Sequence, residues 1–177
     1  MENNQNAKIK TYISVVGFAL GVLFGMAGSA VKDPVTQVVF YEISSIGLTV
    51  AAVLMAWKFA KENADLLSAG FLILAIGEAV MSGGAATDSI SSGAQSSFGA
   101  GMALYVPALL MISLPKGYPL FVRITGSLAS IPFAIAAAMI FMGQEVLSTS
   151  PFPSAGYGLL SLTIIGWIYT LLREIHN

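Results

Sequence analysis

The chain has 177 residues, 56% hydrophobic and 10% charged, with a net charge of −1 and no cysteine. A soluble domain carries about 25% charged residues, so this composition excludes a water-soluble globule. The charge balance, with no basic run, excludes a nucleic-acid partner held through phosphates, and the lack of cysteine removes disulfides, thiolate metal sites and thiol nucleophiles together.

Residues 1–11, with Lys8 and Lys10, read as a short solvated tail. The apolar run 12–31 follows. Its basic start and small-residue end (Gly28, Ser29, Ala30) also suit a cleavable signal peptide, but it is long enough to cross a hydrocarbon core of about 30 Å. We read it as a retained span. Lys32, Asp33 and Pro34 break the chain before a second span at 37–57, since proline restricts the residue before it. The third span is 66–83. A Gly/Ser/Ala-rich connection at 82–97 reads as an external loop, or as a lid over an outward-facing pocket. A fourth span at 98–114 ends in a Pro/Gly turn at 115–119. The fifth span, 120–143, and the sixth, 156–172, are separated by Ser150, Pro151, Phe152 and Pro153, and 173–177 form a second short tail with the one histidine, His176. The expected fold is all-α: a polytopic membrane protein, one domain at 12–172 made of six transmembrane helices.

Basic residues orient it. Six spans put Lys8, Lys10, Lys58, Lys61, Lys116, Arg123 and Arg173 on one side and leave Lys32 alone on the other. The positive-inside rule then predicts cytoplasmic termini in a plasma (inner) membrane. Trp57, Tyr118, Trp167 and Tyr169 fall near the inner boundary, and Tyr41, Phe98, Phe152 and Tyr157 near the outer, as interfacial belts do.

The acids run the other way. Asp33, Glu42, Glu78, Asp88 and Glu145 all fall in the outer half, and three of them sit in loops. Glu42 and Glu78 instead lie at similar depth on consecutive antiparallel spans, roughly 9 Å below the outer boundary at the helical rise. They are expected to face each other or one cavity. A charge at mid-bilayer is expensive, about 2.5–3.5 kcal/mol on insertion scales, so such an acid turns toward the bundle interior, water or a partner. Glu42, Ser45 and Thr49 recur on one helical face, Ser82 sits one turn from Glu78, and Arg123, Ser127, Ser130 and Ala134 make a third stripe. The bland alternatives are that these hydroxyls bond their own backbone, that a neutral carboxyl is merely tolerated, and that Arg123 snorkels to the surface.

Gly17, Gly21, Gly25 and Gly28 form a flat face on the first span, suited to close packing against an internal neighbour or another chain. Pro107 and Pro132 interrupt the fourth and fifth spans as kinks or hinges. No Ser-His pair, HExxH spacing or phosphate-cradling glycine loop occurs. The sequence therefore predicts no enzyme and no cofactor, and leaves open whether a metal binds.

In length, span number and a small-residue first helix the chain resembles the substrate-binding subunits of energy-coupling-factor vitamin transporters. The resemblance matches no binding motif, so it assigns no residues. The leading expectation is a carrier, channel or solute-binding subunit, taking a proton, cation or small organic cation from the outer side. Glu78 and Glu42, with Ser45, Thr49 and Ser82, would bind it. The alternative is an accessory or sensory subunit that binds a membrane protein partner, or a second copy of itself, through the glycines of the first helix.

Overall fold

A computed structural model describes residues 2–85 and 92–176. Six helices follow in order: α1 (Glu2–Ala30), α2 (Pro34–Lys61), α3 (Asp65–Ala85), α4 (Ser92–Ser113), α5 (Leu120–Phe141) and α6 (Pro151–His176). Each contains a stretch long and apolar enough to cross a membrane. The chain is thus an all-helical, multi-pass membrane protein.

Several helices outrun the apolar runs that announce them. α1 begins at Glu2, not at residue 12. Nothing in 2–11 breaks a helix, and the Thr11 and Ser14 hydroxyls donate to the carbonyls of Ala7 and Lys10 at 3.1 and 3.0 Å, satisfying themselves on their own helix. α6 begins at Pro151, because a proline in the first turn lacks only an N–H that would have no partner there. The Ser150 carbonyl accepts the first helical bond, from Ser154 N–H at 3.0 Å. At 82–97 the expected loop is largely helix: α3 runs to Ala85 and α4 starts at Ser92. Asp88, and the lid expected around it, lie outside the described residues. α5 ends at Phe141, two residues early, where Gly143 takes a left-handed conformation (φ 83°) and its N–H donates to Ile140 at 2.8 Å. α2 starts at Pro34, three residues ahead of the expected span. Asp33 accepts from the Thr36 N–H at 2.9 Å and Thr36 hydroxyl at 2.6 Å, with Pro34 as the first helical residue.

Packing is strictly sequential. Each helix touches its neighbours in the chain, and α6 closes on α1, so the six stand in a ring with no other backbone approach between helices among the described residues. Only side chains occupy the middle. Toward the termini the axis is filled by Phe18, Phe71 and Trp167, all fully buried, with ring centroids 5.0–6.3 Å apart. Phe59 stacks on Phe71 at 5.6 Å, and Tyr118 adds an edge contact at 6.5 Å. Toward the other end Tyr105, Phe133 and Tyr157 take over, edge-to-face at 5.1 and 5.2 Å. Trp167 and Tyr118 are therefore core residues, not members of an interfacial belt, whereas Trp57 and Tyr169 are exposed as expected.

Candidate functional site

Glu78 lies on α3, about 10 Å from the Ala85 end at the helical rise, and is 4% exposed. Small residues put it there. A β-carbon on Gly101 of α4 would stand 2.8 Å from the Gly77 carbonyl oxygen, so α3 and α4 approach almost backbone to backbone beside Glu78. Tyr105, one turn beyond Gly101 on the same face of α4, is thereby brought against the acid. Its ring would lie 3.0 Å from a β-carbon on Gly77.

Both carboxyl oxygens are engaged. The Ser45 hydroxyl of α2 donates to Oε2 at 2.6 Å, with the Glu78 backbone carbonyl as a second acceptor at 3.3 Å. The Tyr105 hydroxyl donates to Oε1. One carboxyl thus ties α2, α3 and α4 together. Among the described residues no basic side chain forms an ion pair with it, and no group of His, Cys, Asp and Glu could hold a metal. Two hydroxyl donors suit a carboxylate, which only accepts; a proton on one oxygen would make that oxygen a donor and oblige one hydroxyl to turn and accept. Ser45, with the Glu78 carbonyl in reach, has somewhere to turn.

The other expected ligands are not gathered here. Glu42 is half-buried on α2 and is not a hydrogen-bond partner of Glu78 or of its ligands; Thr49 and Ser82 are also half-buried and not bonded to it. Of that set, only Ser45 and Glu78 meet. Neither of the two clefts described below includes either acid. Of the α5 stripe, Ser130 is buried but spends its hydroxyl on the Ser127 carbonyl at 2.7 Å, and Ala134 is exposed. Arg123 stands half-exposed at the α4–α5 end of the bundle. It donates to the carbonyls of Ser113 and Leu114 at 2.9 and 2.8 Å, closing the last turn of α4.

The glycine face of α1 packs inside the chain. A β-carbon on Gly17 would fall 2.5 Å from the Gly47 carbonyl oxygen, and ones on Gly25 and Gly28 would lie 3.1 Å from the Ser44 hydroxyl and 2.7 Å from the Tyr41 ring. Gly21 receives Leu48 and accepts a 2.8 Å bond from Ser44.

Sequence reasoning missed Tyr105 and Phe133, and read as an outer-belt residue the Tyr157 that packs on Phe133 in the axis. The available signal was a tyrosine in mid-span, whose hydroxyl needs a partner in an apolar interior. Comparison with known protein families, characterised proteins and solved structures returns no match.

Proposed function

We propose that the protein is a membrane carrier, channel or solute-binding subunit in which Glu78 takes up and releases a proton. The observation that carries this reading is a sealed carboxyl whose oxygens are held only by two neutral hydroxyls from neighbouring helices. A proton needs no cavity, whereas a metal ion or organic cation needs room and further ligands that the Ser45 and Tyr105 hydroxyls already occupy. Proton uptake would turn one hydroxyl round and replace bonds to an ionised carboxylate with weaker neutral ones between α3 and its neighbours. Tyr105 fills the axis beside Phe133 and Tyr157, so weakening of its bond is the step that would open a path along the ring. With the lysine-rich end inside, as the basic residues argue, the acid lies in the outer half of a plasma-membrane protein. A partner-binding subunit remains the second reading, since α2 already covers the glycines of α1. We do not propose an enzyme.

Infrared difference spectroscopy of the protein in nanodiscs, titrated from alkaline to acidic pH, tests the proposal. The wild type should show a protonated-carboxyl band that grows on acidification, is missing from Glu78→Gln and is displaced in Ser45→Ala. Proteoliposomes carrying a pH-sensitive dye should leak or exchange protons with wild type and not with Glu78→Gln. A wild-type spectrum identical to that of Glu78→Gln across the titration would remove Glu78 from the mechanism.

A further inference from the structure

A second region, independent of Glu78, lies along the α1–α2 pair. Where these helices approach the terminus-bearing end they leave a cleft of about 190 Å³, bordered by Lys10, Thr11, Ser14, Trp57, Lys61 and Glu62. The ammonium groups of Lys10 and Lys61 stand 4.0 and 5.1 Å from the centroid of the Trp57 ring, which is 51% exposed. Lys58 is neutralised, bonded to Glu62 at 3.1 Å and Glu174 at 3.0 Å. The same bridges occupy Glu62, the acid in the cleft. Among the described residues Lys10 and Lys61 have no acidic partner, so two like charges share one ring and repel. An anion between them would relieve both.

Deeper along the same helix pair runs a second hollow, about 290 Å³, lined by Ile13, Val16, Gly17, Leu20, Ile46, Gly47 and neighbouring aliphatic side chains. It is apolar, with Gly17 and Gly47 at its floor, where the two helices meet. From Lys10 to Leu20 the helix rises about 15 Å, which is the depth of one leaflet of a core about 30 Å thick. A charged cleft at the terminus-bearing end and an apolar groove further along the same helix pair, together one leaflet deep, fit one kind of molecule.

We infer that the α1–α2 groove is a binding site for an anionic phospholipid, its phosphate between Lys10 and Lys61 beside Trp57 and an acyl chain along Gly17 and Gly47. A free phosphate would use the cleft and leave the groove idle. A zwitterionic lipid would fill the groove but bring a cation to two cations. The anionic diacyl lipid satisfies both halves, and basic side chains near the membrane surface attract anionic headgroups in general.

Trp57 reports on the site directly, because Trp167 is fully buried. Fluorescence quenching is measured in membranes doped with brominated phosphatidylglycerol or brominated phosphatidylcholine, on a Trp167→Phe background. Quenching should favour phosphatidylglycerol by up to about twenty-five-fold in relative association constant, at about fivefold for each of the two lysines. In Lys10→Ala/Lys61→Ala the preference should vanish while both lipids still quench, and Lys10→Arg/Lys61→Arg should restore it. Inorganic phosphate should not reverse the quenching. Equal quenching by the two lipids in the parent, a preference that survives the double alanine variant, or displacement by inorganic phosphate would each overturn the inference. The outcome is independent of any proton chemistry at Glu78.

Discussion

Replacing Tyr105 by Phe removes one hydroxyl from the interior and leaves the ring that packs on Phe133 at 5.1 Å. The loss falls on Oε1 of Glu78, which has no other donor among the described residues. Hydrogen bonds between membrane helices average about 0.6 kcal/mol in double-mutant cycles and reach about 1.7. Bonds to an ionised group run higher, about 1.5–3 kcal/mol. Glu78 is 4% exposed, so water cannot replace the lost donor, and the coupling should sit near the top of the membrane range. We therefore expect Tyr105→Phe to lower the unfolding free energy by about 1.5–2 kcal/mol at alkaline pH, and by less where the carboxyl is protonated and needs one donor fewer. In a Glu78→Gln background the same change should be weaker, below about 1 kcal/mol, because a neutral amide oxygen accepts less strongly. The assay is reversible unfolding by sodium dodecyl sulfate in mixed micelles, followed by far-ultraviolet circular dichroism at two pH values. Equal losses in both backgrounds mean that the charge on Glu78 adds nothing to its bond with Tyr105, and the charge-assisted coupling of α3 to α4 would have to be abandoned.

Other perturbations act on parts of the ring away from the acid. Gly17→Val should be severe, because even a β-carbon lands 2.5 Å from a backbone oxygen that cannot step aside; overpacking of about 1–3 kcal/mol should show as a lowered melting temperature. Tyr118→Phe should be neutral or stabilising in the same melt, since its hydroxyl is buried without a partner. Burial, and then Glu174 and Glu62, hold that hydroxyl's pKa well above 10. The unfolded chain therefore ionises first, and wild-type stability should fall as pH rises past the unfolded tyrosine value, a loss that Tyr118→Phe should lessen. Asp33 behaves oppositely. The Thr36 hydroxyl, then its N–H, hold the carboxyl below the usual aspartate value, so its contribution is present at neutral pH and fades as pH drops through that lowered value. Asp33→Asn should flatten this acid limb of the melting profile.

Six spans and the inward turn of Glu78 were legible because both follow from the solvent: lipid demands apolar length, and it drives a carboxyl to the interior. What was illegible depends on how helices rotate against one another. Glu42 and Glu78 share a depth, and depth can be counted along a chain. Whether they share a face cannot, and the close approach of α3 to α4 at Gly77 and Gly101 handed the acid to Tyr105 instead. Composition also misled at the ends. The glycines and serines of 82–97 look like loop, yet α3 runs on to Ala85 and α4 already begins at Ser92. The polar residues 2–11 look like tail, yet several of them form one wall of the cleft whose other wall is Trp57 and Lys61.

The ring also limits where function can act. Helices that touch only their neighbours leave an axis blocked by side chains alone, so opening it requires no backbone contact to be broken, only rings to move. At the terminus-bearing half those rings are Phe18, Phe71 and Trp167, packed in mutual contact with no described polar restraint. They move together or not at all. At the other half Phe133 stands between two tyrosines: Tyr105, fixed to Glu78, and Tyr157, whose hydroxyl reaches only the Met81 sulfur at 3.5 Å. A thioether is a weak acceptor, so Tyr157 is easily freed and Tyr105 is not. On our proposal, the strength of the Glu78 bond sets how readily this half of the axis opens, and protonation of that carboxyl is the change that acts on it.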